Sequence, residues 1–204
     1  MTAAADSWAS GFEDLVLGFV APGARVLDVG CGNGGLVERL AASGRDAAGV
    51  DPRAPDHPRL TRCRVEELRP SRPFDAVCAV MSLHHAALGP AFSAIARLLR
   101  PGGALLIAEF AWETYDERAA AWVAAHDPSA ADPSVAGWRA ERADLHTGAA
   151  MRAALAETFD LREELAGPYL ARMLGSRDLE TEEEAMIERG SLPPLGRRWI
   201  AAAG

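Results

Sequence analysis

Lysine is absent: all 21 fixed side-chain cations of the 204-residue chain are arginine, which points to GC-rich coding rather than to function. Those cations face 29 aspartates and glutamates, for a formal net charge of −8. A partner bound through its phosphate backbone needs a basic footprint, so this balance argues against nucleic acid. No apolar run reaches membrane-spanning length, so no membrane contact is expected. Only three cysteines occur, Cys31, Cys63 and Cys78, without C-x-x-C pairing. That spacing offers neither a disulfide framework nor a metal site. The opening "MTAAADSW" carries no basic-then-apolar leader. Together these features predict reduced thiols, a cytoplasmic location and a monomer or homodimer.

What is present is a chain 49% hydrophobic and 25% charged, enough for one globular domain with one core. "FEDLVLGFV" is amphipathic and turns at Pro22-Gly23 into a short apolar run, Arg25–Val29. "GLVERLAASG" has helical spacing and stops at Gly44, and "DAAGVD" reads as a second strand. "PRAPDHPR" holds three prolines in eight residues, so a loop replaces a helix there. "LTRCRV", "FDAVCAVMSL" and "ALLIAEF" are the third, fourth and fifth strand candidates, the last entered through a turn at Pro101-Gly102-Gly103. "PAFSAIARLL" is the helix between the fourth and fifth. Later come helices at "DERAAAWVAAHD" and "GAAMRAALAETF" and strands at "DLREEL" and "LGRRWIAAA". In "TEEEAMIERG", Thr181 and Glu184 stand at capping-box spacing, and the glutamate run 180–184 reads as a solvated helix start. Alternating strands and helices with apolar strands imply an α/β fold with a parallel sheet.

The chemistry concentrates in "VLDVGCGNGGL", where an aspartate interrupts an apolar strand and four glycines follow within six residues. Glycine is poor at holding regular structure, and a buried carboxylate is costly unless satisfied. Both are tolerable where a ligand approaches the backbone. Two ligands fit the spacing. Gly30, Gly32 and Gly35 formally satisfy G-x-G-x-x-G, with Asp51 lying 21 residues beyond Gly30, as in a nicotinamide dinucleotide site. Against that, Asp28 would repel a pyrophosphate and suits a cation.

With "GVDP", "RCRVEEL", "FDAVCAVMSLHH" and "RLLRPGGALLIAEF", in this order over residues 24–110, the chain resembles the class I S-adenosylmethionine-dependent methyltransferases, small-molecule type. The resemblance implies a Rossmann-like, mostly parallel seven-stranded sheet with helices on both faces and one antiparallel strand near the C-terminus. It implies a cofactor-binding core at 24–110, acceptor-side elements at 1–22 and 111–150, and a closing strand pair in 159–204. S-adenosyl-L-methionine would be the cofactor and a small molecule the acceptor.

Residue by residue, the resemblance assigns Asp28, Gly30, Cys31, Gly32, Asn33 and Gly34 to the amino-acid end of the cofactor, with Cys31 a packed thiol and not a nucleophile. Asp51 and Pro52 fall at the ribose, and Val65 and Glu66 at the adenine. Arg64 stands where an aspartate is frequent. Val80 and Met81 run along the cofactor, and His84 and His85 follow as candidate bases near the transferred methyl. Trp8, Phe12, Glu109, Trp112, Tyr115, Trp138 and His146 are candidate acceptor contacts, while Trp122 reads as core. Tyr169 and Arg172 have no assigned role. A dinucleotide-dependent oxidoreductase and a non-catalytic cofactor-binding protein remain as alternatives.

Overall fold

A computed structural model describes residues 11–130 and 132–204. Helix α1 (Phe12–Phe19) leads into β1 (Arg25–Val29), α2 (Gly35–Ala42), β2 (Asp46–Val50) and a two-residue β3 (Leu60–Thr61). Next come β4 (Phe74–Val80), α3 (Leu88–Leu98) and β5 (Leu99–Phe110), then α4 (Glu117–His126), α5 (Val135–Glu141) and α6 (Gly148–Thr158). The chain ends through β6 (Asp160–Gly167), α7 (Leu170–Met173), α8 (Glu180–Glu188) and β7 (Gly196–Ala202).

The strands form one seven-stranded sheet in the order β3-β2-β1-β4-β5-β7-β6. Strands β1 to β5 are parallel, and β7 runs antiparallel to both β5 and β6. Successive side chains of a strand point to opposite faces, which divides the core in two. Leu27, Val77, Leu105 and Trp199 pack under α3 and α6 against Phe92, Ile95, Met151 and Leu155. Val26, Cys78, Leu106 and Ile200 pack on the other face against Leu15 and Val16 of α1 and Val37 and Leu40 of α2. The central strand β4 is apolar from Ala76 to Val80 because both its faces are covered there, with Asp75 at its start held by Arg25 N–H and Arg100. A third cluster, with Phe110, Tyr115, Trp122, Trp138, Leu170 and Leu195, caps the sheet where β5 ends. No helix among the described residues is long and apolar enough to cross a membrane.

The structure departs from the sequence reading in five places. Strand β3 stops at Thr61 instead of running through "LTRCRV", because Cys63 N–H turns back to Thr61 O at 3.1 Å and Arg62 Nε donates to Ala54 O at 2.6 Å. Pro101-Gly102-Gly103 lies inside β5 as an irregularity: the register jumps from Phe74↔Leu99 to Ala76↔Ala104. Helix α5 forms beyond the loop "DPSAADPS", its start capped by Ser134, whose Oγ accepts from Gly137 N–H at 3.0 Å. Helix α8 begins at Glu180, before Thr181, and its N-cap Leu179 makes no side-chain bond, so no capping box forms. The glutamate run is also not wholly solvated. Glu183 is fully buried and accepts from the backbone N–H groups of Tyr169 (2.7 Å), Leu170 (2.9 Å) and Ala171 (2.7 Å). The first turn of α7 would otherwise bury these donors unpaired.

Removing that carboxylate should expose the cost. Glu183→Ala is expected to lower unfolding free energy by about 2–4 kcal/mol in urea titrations, whereas exposed Glu188→Ala should change it by less than about 0.5 kcal/mol. Equal losses would remove Glu183 from this role.

Candidate functional site

The carboxyl ends of β1, β4 and β5 open into a cavity of about 1040 Å³. In open α/β sheets this is where ligands sit. A smaller hollow of about 400 Å³ lies beside the starts of β1 and β4, around Arg25, Cys63 and Phe74, and holds none of the predicted site residues.

The turn after β1 is built for close approach. Gly30 has φ +74°, and a Cβ there would lie 2.2 Å from Ser82 Cβ. Ser82 Oγ donates to Val29 O at 2.8 Å, so the ends of β1 and β4 interlock at a point only glycine fits. Gly30 and Cys31 N–H both donate to Val50 O, at 2.8 and 3.3 Å. Gly32 N–H donates to Asp51 Oδ2 at 3.1 Å, and Asp51 Oδ1 accepts from Arg53 N–H at 2.7 Å. The glycine turn is thereby tied to the end of β2. Asn33 Oδ1 accepts from Gly35 N–H at 3.3 Å where α2 begins.

Asp28 sits on the cavity floor, 4% exposed, and its Oδ1 has no hydrogen-bond partner among the described residues. Burial pushes its pKa up to about 7; Arg39 opposes the shift and the Asp51 charge adds to it. Burial, with Asp28 and Asp51 nearby, also pushes the Cys31 thiol up to about 12, so it is no nucleophile at neutral pH.

The second wall comes from β4 and β5. Met81 follows β4 with φ +51°, a left-handed conformation costly for a side chain with a Cβ, and its N–H donates to Ala108 O at 2.8 Å. Glu109, 2% exposed, accepts on Oε1 from Ser82 and Leu83 N–H, at 2.8 and 2.7 Å. Its Oε2 lies 2.8 Å from Nδ1 of the buried His84. His84 lies edge-on to Phe110 at 5.2 Å between ring centres. His85 is exposed; burial of its ring and the neighbouring His84 lower its pKa.

Asp28, Gly30, Cys31, Asn33, Val80, Met81, Glu109 and Phe12 line the cavity. Gly32, Gly34, Asp51 and Pro52 lie in the adjoining loops, outside the lining. Val65 is buried in a single helical turn, Val65–Glu67, beyond β3, with Glu66 half-buried beside it. His146 is tethered away from the lining: its N–H donates to His84 O at 3.0 Å, and Nε2 lies 2.9 Å from Ala86 O. Trp112 Nε1 donates to His146 O at 3.1 Å. Tyr115 is 1% exposed, stacks on Trp138 at 4.1 Å and donates to Pro133 O at 2.8 Å, which makes it, like the buried Trp138, cap core and not cavity wall. Burial raises its pKa to about 12. Trp122 is buried as expected. Trp8 lies outside the described residues. Arg197 and Arg198, which no sequence motif marks, line the cavity with Tyr169 and Arg172. They arrive through long-range topology: antiparallel β7 begins where β5 ends, with Gly196 paired to Phe110.

The raised Asp28 pKa has a definite pH consequence. Between about pH 4 and 7 the native carboxyl holds a proton that the unfolded chain has released, so stability from this group falls as pH rises through that window and is level above it. Urea melts without ligand should show up to about 4 kcal/mol of such a loss, absent in Asp28→Asn. Identical pH profiles would show that Asp28 titrates normally.

Comparison with known proteins adds independent findings. Residues 6–158 match a family model described as a methyltransferase domain. A ubiquinone biosynthesis O-methyltransferase of Xanthomonas campestris is 38% identical over 103 residues, covering 42% of this chain and 43% of that protein. The chain thus spans about two fifths of the length of the curated relatives it matches. Among solved structures, phosphoethanolamine N-methyltransferase 2 of Haemonchus contortus, in complex with S-adenosyl-L-methionine, superposes with a TM-score of 0.61 at 17% identity, covering 96% of this chain and 52% of that one. The geranyl diphosphate C-methyltransferase of Streptomyces coelicolor, in complex with S-adenosyl-L-homocysteine, gives 0.59 at 15% identity, covering 94% and 75%. Both likenesses are of fold.

Proposed function

The chain belongs to the methyltransferase-domain family, and from that premise we propose that it transfers a methyl group from S-adenosylmethionine to a small-molecule acceptor. The observation that carries this reading is Asp28: a buried carboxylate with one oxygen unpartnered among the described residues, at the floor of a large cavity, beside a glycine turn that has no room for a Cβ at Gly30. A cationic ligand supplies the missing partner and favours the ionised carboxylate. A pyrophosphate would meet repulsion at the same point, which counts against a nicotinamide dinucleotide. The donor fits on both counts, since its amino-acid end carries an ammonium and its sulfur is a cation. When bound, it supplies an activated methyl for in-line displacement.

In this reading, Asp28 and the turn through Gly34 hold the amino-acid end. Asp51, already oriented by the N–H groups of Gly32 and Arg53, accepts from the ribose hydroxyls. Val65 and Glu66 serve the adenine, and Val80 and Met81 flank the reacting end. Alignment supplies much of the acceleration, and the aromatic cap shields one side of the site. Where the acceptor must lose a proton, His84 or His85 takes it. Glu109 orients His84 through Nδ1 and fixes the loop that carries both histidines.

Isothermal titration with S-adenosylhomocysteine tests the reading. Wild-type protein should bind it, and bind more weakly as pH falls below about 7, while Asp28→Asn should be weaker and nearly independent of pH. Asp51→Ala should cost about 1–3 kcal/mol of binding. A preference for a nicotinamide nucleotide would overturn the proposal. With an acceptor found by a labelled-methyl metabolite screen, His85→Ala should slow turnover if His85 is the base; an unchanged rate across pH would exclude it.

A further inference from the structure

One cavity wall, separated from the strand of Asp28 by β4 and β5, carries Arg172, Arg197 and Arg198 beside Glu180, and methyl transfer as described gives these arginines no task. This wall is built from α7 and the start of β7. Tyr169 stacks on Phe110 at 4.7 Å between ring centres, and the segment Tyr169–Ala171 is pinned by the three hydrogen bonds to buried Glu183. Arg172 follows at once. Its side chain is exposed to the cavity and makes no hydrogen bond or ion pair among the described residues. Arg198 lines the same cavity from β7 and is 6% exposed. Burial lowers its pKa, Glu180 and Glu184 oppose that shift, and the Arg172 charge adds to it. Arg197 spends Nη1 on Pro194 O (2.6 Å) and Gly196 O (2.8 Å). Of the lining carboxylates, Glu109 holds backbone and His84, Glu13 pairs with Arg39 at 2.5 Å and Glu180 lies beside Arg198, while Asp14 and Asp28 belong to the walls formed by α1 and β1.

Arg172, without a hydrogen bond or ion pair among the described residues and directly after a segment fixed by a buried carboxylate, offers a seat for an anion, with the Arg198 guanidinium on the same cavity wall. Resting on the methyl-transfer reading for the identity of the occupant, we propose that the acceptor carries a carboxylate or phosphate, which Arg172 grips beside Arg198 while its reactive end points toward Met81 and Glu109. The two ends of the cavity then divide the ligands by charge: the cationic donor lies over Asp28 and the anionic acceptor against α7.

The test uses benzoate, phenyl phosphate and neutral benzamide as probes, titrated into wild-type protein and Arg172→Gln, with and without saturating S-adenosylhomocysteine. Arg172 is exposed, so the variant should fold, and its melting temperature checks this. At least one anionic probe should bind ten-fold or more tighter than benzamide, weaken in 0.5 M salt, and lose that preference to within about three-fold in Arg172→Gln. The tighter of the two anions identifies the group. Equal binding of the three probes, or a preference that survives Arg172→Gln, would overturn the proposal. So would a ten-fold loss of S-adenosylhomocysteine affinity in the variant, because Arg172 would then serve the donor. Wild-type protein that ignores S-adenosylhomocysteine yet keeps the anion preference would sink the methyl-transfer reading while supporting the anion seat.

Discussion

At the end of β1 the backbone has no room to spare. Gly30 lies against Ser82, whose hydroxyl bonds back to Val29, and the next two N–H groups are drawn to the end of β2 at Val50. This contact sets how deeply the glycine turn lies between its neighbouring strands. It leaves the strand's last acidic side chain, Asp28, out of water but facing a cavity. A wider turn would let water reach that carboxylate. The close packing is therefore what keeps Asp28 from being an ordinary surface acid.

The buried carboxylates make the contrast plain. Asp51 holds the N–H groups of Gly32 and Arg53, Glu109 those of Ser82 and Leu83, and Glu183 those of three residues at the start of α7. Each fixes a segment that borders the cavity. Asp28 shares their burial, but one of its oxygens has no hydrogen-bond partner among the described residues. Three carboxylates hold the walls in place, and the fourth lies in the cavity lining without that task. That division of labour separates scaffold from site more sharply than burial alone.

What the sequence revealed was local. The run before the glycines, the stop at Gly44 and the apolar "FDAVCAV" each declare an element within a few residues, and their alternation implies the parallel sheet. The prolines of "PRAPDHPR" likewise excluded a helix after β2, and none forms. What stayed hidden depended on distant partners. Glu183 reads as one more acid in a charged run until α7 packs its first turn against it. Tyr115 resembles a pocket aromatic just past β5, but Trp138 from α5, an element with a weak sequence signal, stacks over it. Arg198 reaches the cavity only because β7 inserts between β5 and β6, against the chain order.

Charge shows the same dependence on place. A net charge of −8 argues against long polyanions, which meet the whole surface. A small anion inside the cavity meets a different field, dominated by the few groups within a Debye length and little screened by solvent. Composition is mute on this point in a second way: with lysine absent, an arginine at position 172 cannot be taken as a choice of guanidinium over ammonium. Its location is the signal, on a turn fixed by Glu183, beside Arg198 and in the cavity that Asp28 also lines. An acidic protein can thus present an arginine to a small ligand where carboxylates such as Glu109 and Glu183 are bound to backbone.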